Sequence, residues 1–239
     1  MDALERRHLA DLTFQEVRRS LQALSSLYVE RRERISSGAA LEGAGKRAAF
    51  ALYYGPLHFL LVREVVRALR APSPARIVDL GCGTGVAGAA WALEAERSGF
   101  VEALDRSGWA LQEARWTLAR LGVRGNAVRG DAASFQLPKP PAGVVAAFTV
   151  NELDDAARKQ LLPRLLQATG VSVLILEPIA RKATPWWAEW SQAFLAAGGR
   201  DDSWRFAVTL PELLRKLAKA AGLDPRELTG RTLWRAGTH

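Results

Sequence analysis

Glycines stand at positions 81, 83, 85 and 88, directly after the segment Ile77-Val78-Asp79-Leu80. Without a Cβ, glycine lets a backbone bend sharply and come close to a ligand. An acid, Asp105, follows about twenty positions on, the separation at which a strand-end carboxylate meets ribose hydroxyls. Other polar residues close later apolar runs: Asp131, then Asn151 and Glu152, then Glu177.

The glycine turn has two readings. Asp79-x-Gly81-x-Gly83-x-Gly85 places an acid before the turn, whereas Gly83-x-Gly85-x-x-Gly88 matches the dinucleotide fingerprint. Asp105 suits both. The residues before the turn separate them. A dinucleotide fingerprint needs the strand to run through Asp79, Gly81 and Cys82, which buries an unpaired carboxylate at a cost and sets negative charge beside a pyrophosphate. In the first reading Asp79 ends the strand and accepts from an ammonium group. A cationic ligand carrying an amino acid, such as S-adenosylmethionine, fits that charge.

These residues need elements to hold them. From Arg76 onward the pattern alternates: strands at "RIVDL", "FVEALD", "NAVRGD", "GVVAAFTV" and "VSVLILEP", helices between them. Such alternation implies right-handed crossovers and a parallel sheet covered on both faces. A tryptophan-rich helix, a short strand "WRFAV", a helix capped by Thr209 and Glu212, and an edge strand "ELTGRTLWRAG" complete the reading. Residues 1 to about 70 read as helical. Thr13 and Glu16 form a capping box, and Val17, Leu21, Leu24, Leu27 and Tyr28 make one apolar face, with Glu30, Arg31 and Arg32 on others. Residues 36–45 read as a small-residue loop, and a second apolar helix covers Leu57 to Leu69. The expected division is a helical cap at 1–74 and an α/β domain at 75–239, with a tryptophan-rich insertion at 179–209.

Composition narrows the class. The 239 residues contain one cysteine, Cys82, which excludes a disulfide framework and a cysteine-based metal site. His8, His58 and His239 are too scattered for a metal cluster. The start lacks an apolar signal core, and the run "FALYYGPLHFLLV" is too short and broken to span a bilayer. The expectation is a soluble, cytoplasmic protein without membrane partners. The net charge of +8 is spread along the chain, without a run of five or six like charges, and suits a solvated, arginine-rich surface or a polyanionic partner such as RNA.

"VDLGCGTG" resembles motif I of the class I S-adenosylmethionine-dependent methyltransferases. "ALDRSGWALQEAR", "RGDAASF" and "FTVNELDD" are similar to the segments at that fold's second, third and fourth strands, so the likeness covers roughly residues 76–180. It implies a doubly wound, mostly parallel α/β sheet with S-adenosylmethionine as cofactor. It further implies that Gly81, Gly83 and Gly85 line the methionine moiety and that Asp79, Cys82 and Arg106 belong to the cofactor site. Asp105 takes the ribose hydroxyls, Asp131 and the Ala132 amide recognise adenine, and Asn151 sits beside the transferable methyl. Asp131 also suits a helix cap, and Cys82 a purely structural small residue.

Methyl transfer is mostly a matter of positioning, with a base needed only when the acceptor must lose a proton. Asn151 and Glu152 are the catalytic candidates; the charge of Glu152 equally suits the start of the next helix. Tyr53, Tyr54, His58, Glu177, Trp186 and Trp187 are candidates for holding the substrate, the aromatics suiting core packing equally. The acceptor is open between structured RNA, such as ribosomal RNA, and a small molecule. Two rival functions are a catalytically silent RNA-binding assembly factor and an NAD(P)-dependent oxidoreductase.

Overall fold

A computed structural model describes residues 1–30, 41–95, 99–180, 184–223 and 226–237. In chain order its elements are α1 (Asp2–His8), α2 (Phe14–Glu30), α3 (Ala44–Ala49), α4 (Gly55–Leu69), β1 (Arg76–Leu80), α5 (Val86–Glu94), β2 (Phe100–Asp105), α6 (Gly108–Leu121) and β3 (Gly125–Arg129). Then come β4 (Ala142–Ala147), α7 (Asp155–Gln167), β5 (Val171–Glu177), α8 (Trp187–Ala196), β6 (Arg200–Ala207), α9 (Glu212–Ala220) and β7 (Glu227–Arg235). The chain forms two compact units: Met1–Leu57 with Phe206–Leu228, and His58–Arg205 with Thr229–His239. The division therefore falls inside α4, not at 74/75, because the apolar residues from Leu61 onward pack with the sheet unit, where Leu61 lies against Gly230 of β7.

The sheet has the strand order β3-β2-β1-β4-β5-β7-β6. The first five strands pair in parallel, and β7 runs antiparallel to β5. Burial in β5 is complete, the pattern of a strand covered on both faces. On one face, Val144, Ala146, Val173 and Ile175 pack with Leu161 and Leu165 of α7 and with Trp187, Trp190 and Phe194 of α8. On the other, Ala103 and Ala127 meet Leu111 and Ala114 of α6, and Trp91 of α5 lies over Gly143. The expected doubly wound α/β architecture is present.

Three local expectations need correction. The strand "ELTGRTLWRAG" is not an edge: β7 lies between β5 and β6, and its residues Gly230 to Trp234 are buried without a break. The edge is β6, whose burial alternates. The helix after Thr209 begins at Glu212, with Pro211 as N-cap and no side-chain cap bond. Proline fixes φ there, so Thr209 stands too far upstream to cap. Of the expected loop at 36–45, residues 36–40 lie outside the described residues, as do Arg31 and Arg32, while Ala44 and Gly45 are helical.

The helical unit is organised by α2, α3 and α9. Val17, Leu21, Ala48, Leu52, Tyr53 and Leu217 form its core. The capping box at its start is formed: the Thr13 amide donates to Glu16 Oε2 at 2.8 Å, and the Glu16 amide donates to Thr13 Oγ1 at 3.3 Å.

Candidate functional site

The site is built at the carboxyl ends of β1, β2, β4 and β5, where ligands bind in open α/β sheets. After Leu80 the backbone turns through Gly81, Gly83 and Gly85, with φ of +61°, +51° and +74°. An L-residue in such conformations is strained by about 1–3 kcal/mol. Space is short as well. A Cβ on Gly81 would lie 2.4 Å from Thr149 Cγ2, and one on Gly85 2.9 Å from Ala114 Cβ.

Two side chains fasten this turn. Thr149, just past β4, donates its hydroxyl to the Leu80 carbonyl at 2.8 Å. Asp105, at the end of β2, accepts from the Gly83 amide on Oδ2 (2.9 Å) and from the Ser107 amide on Oδ1 (2.8 Å). Ser107 caps α6 by accepting from the Ala110 amide. Asp105 is half-buried, and each of its oxygens keeps a further lone pair.

Asp79 departs from expectation. It lies within β1, is 1% exposed, and accepts from the Gly88 amide at 2.8 Å. The strand thus does carry a buried carboxylate, and burial alone does not tell the two glycine readings apart. Desolvation first, with the nearby Asp105 charge, pushes the Asp79 carboxyl up to about 8, partly offset by the Gly88 bond. The group escapes most of the cost of burial by keeping its proton. Cys82 packs against Ala103, Leu111, Ala114 and Ala127, and burial drives its thiol well above the ordinary range.

Asp131 accepts from the Ala133 amide and caps a short 3-10 turn, while its other oxygen pairs with Arg106. Asn151 and Glu152 belong to a second 3-10 turn, Val150–Glu152. The Asn151 amide donates to Glu177 Oε1 at 3.0 Å. Desolvation first, and then the charge of Asp105, pushes the Glu152 carboxyl up to about 7.

Glu177, Trp186 and Trp187, read as substrate candidates, are buried. Glu177 is fully buried and braces the Asn151 backbone. Both tryptophans belong to the sheet core, and Trp187 lies under the Arg231 guanidinium, 4.0 Å from its ring centre. Tyr53 and Tyr54 pack within the helical unit, their rings edge to face at 5.3 Å. His58 behaves otherwise. Its ring stacks on Phe148, at 3.9 Å and 21° between planes, and both are partly exposed. Phe148 has φ of +60°, and its amide donates to the Leu176 carbonyl at 2.7 Å. The sequence places Phe148 and Thr149 at a strand end but does not mark them as site residues, since what marks them is contact with distant strands.

Residues 77–170 match the family model described as a methyltransferase domain. Among solved structures, mitomycin 7-O-methyltransferase is 16% identical with a TM-score of 0.55, covering 89% of this chain and 60% of that one. An O-methyltransferase from neocarzinostatin biosynthesis, solved with S-adenosylmethionine and 2-hydroxy-5-methyl naphthoic acid, is 18% identical with a TM-score of 0.50, covering 80% and 55%. An S-adenosylmethionine-dependent methyltransferase from Aquifex aeolicus is 15% identical with a TM-score of 0.50, covering 72% and 88%. The chain therefore spans little more than half the length of the first two. A search of curated proteins found no match. The fold is that of the class I methyltransferases. The family match rests on residues 77–170, and one structure of the same fold was solved with S-adenosylmethionine.

The residues present fit that cofactor. The open glycine turn, the spare acceptor capacity of Asp105 and the local excess of carboxylates suit a cationic nucleoside. Among the described residues no helix is long and apolar enough to cross a membrane, and no cluster of three or more His, Cys, Asp or Glu is placed to hold a metal.

Proposed function

We propose that the protein binds S-adenosylmethionine along Gly81–Gly85 and Asp105 and methylates an acceptor at the tip of β4. The observation that carries this is Asp105, which joins the β2 end to the Gly83 amide and leaves lone pairs for a ribose diol. Asp131 and the Ala132 amide are the adenine contacts in this reading, with Arg106 holding the carboxylate in place. Asp79, held on the Gly88 amide, supports the turn from beneath. When bound, the cofactor supplies an electrophilic methyl group.

Glu152 is the general base for an acceptor that must shed a proton. A carboxyl near 7 is matched to proton removal at neutral pH, where an ordinary carboxylate is too weak a base. His58 is not suited to that role, because burial holds its imidazole at about 3. Asn151, fixed through its backbone by Glu177, positions the reacting groups.

The test is calorimetric titration with S-adenosylhomocysteine, with NADH for comparison. Tight binding of the adenosyl ligand, lost in Asp105→Ala, supports the reading; binding of NADH alone overturns it. Once an acceptor is in hand, kcat/KM should rise with pH through about 7 and lose that dependence in Glu152→Gln.

A further inference from the structure

The strand tips that form the site carry an excess of acid. Asp105, Asp131, Glu152, Asp154 and Asp155 stand there with Arg106, Arg129 and Arg158, of which Arg106 and Arg158 are paired with Asp131 and Asp155. The remaining excess of acid disfavours a phosphate-rich acceptor at this mouth.

One apolar feature stands at the same tips. Phe148 follows β4 directly, and its neighbour Thr149 is the residue that clasps the glycine turn. Glu152 follows on the adjoining 3-10 turn. The rings of Phe148 and His58 lie nearly parallel, not edge to face, and both keep some surface open. The strained φ of Phe148 persists only because the surroundings hold it, with its amide fixed on Leu176. A flat, partly exposed pair of rings next to a polar group is the make-up of a small-molecule site.

We infer that the methyl acceptor is a planar aromatic molecule bearing a hydroxyl group, laid against the His58–Phe148 ring pair with its hydroxyl at Glu152. This rests on the methyl-transfer reading above. The hydroxyl proton passes to the Glu152 carboxylate. The oxygen's electron pair forms the new bond to carbon as the sulfur–carbon bond breaks, and a neutral thioether is left. His58 is a positioning residue: it supplies a flat neutral surface and takes no proton.

The experiment is saturation-transfer NMR on the protein with S-adenosylhomocysteine bound, using phenol, naphthol and phenanthrol as probes and cyclohexanol and a short RNA hairpin as controls. The aromatic alcohols should receive transfer, with affinity rising with ring count, and cyclohexanol should not. Phe148→Gly keeps the positive φ without strain and removes the ring, so it should weaken naphthol by about tenfold while calorimetry shows the adenosyl ligand still bound. His58→Phe keeps a flat ring and should bind naphthol as the parent does, whereas His58→Ala should not. Intact adenosyl binding with no response from the aromatic probes overturns the inference, as does preference for the hairpin. Failure of S-adenosylhomocysteine itself to bind overturns the methyl-transfer reading first, and this inference with it.

Discussion

Two stretches of this chain have the composition of a binding site: the glycine turn at 81–85 and the tryptophan-rich segment at 186–194. They end up opposite in character. The turn holds its backbone in positive φ, is fastened by Thr149 and Asp105, and has no room for further side chains. The tryptophans are buried: Trp190 is 2% exposed, packed edge to face on Trp186 and parallel to Phe194. The difference is one of solvation. Large rings lower the free energy most by leaving water altogether, whereas a ligand turn must leave its amides and carboxylates accessible. Aromatic density marks a core more often than a cleft, and a forced backbone is the better sign of a site.

The largest test of that contrast is Trp190→Ala. It should cost about 3–5 kcal/mol in denaturant unfolding, while the folded protein binds S-adenosylhomocysteine as before. An affinity loss without a stability loss would move the tryptophans back to the site. Next comes Asp79, which the folded protein keeps protonated between 3.8 and about 8 while the unfolded chain has lost that proton. Stability from this group is therefore present in full below the lower value and falls as pH rises through the window, by an amount on the order of a few kcal/mol. Asp79→Asn should remove the slope, so the variant gains on the parent from pH 5 to pH 9 in paired melts. His58 has the opposite sign, losing stability as pH falls from 6.5 toward 3, but it is common to both proteins and cancels in the difference.

A smaller effect belongs to Asp105→Ala. Charge-assisted hydrogen bonds of about 1.5–3 kcal/mol predict roughly a ten- to hundredfold loss of adenosyl affinity by calorimetry. Equal affinity in the variant would strip the turn of its assigned role. The smallest is Ser107→Ala, which removes the α6 cap and should lower stability by about 0.5 kcal/mol. The Ser107 amide still reaches Asp105, so binding should hold.

Local interactions are legible in the sequence. The Thr13–Glu16 box and the strand–helix alternation depend on neighbours within a few residues. Gly81, Gly83, Gly85 and Asp105 were legible because their spacing reports one turn and one strand end. What escaped was set across the chain. Thr149 meets Leu80 at a separation of 69 residues, and β7 takes its partner from β5. Asp79 escaped for a chemical reason: a carboxylate in a strand looks prohibitive until its proton and the Gly88 amide are counted.

The place of β7 between β5 and β6 bears on how the chain is made. During synthesis β6 emerges before the strand it pairs with, and it has no other neighbour in the sheet. Until residues 227–235 arrive, the outer edge of β5 presents unpaired amides and carbonyls beside apolar side chains. A ribosome pausing between α9 and β7 thus holds a nascent chain with its most adhesive edge uncovered. Once β7 pairs, the edges left open are the polar β6 and the short β3.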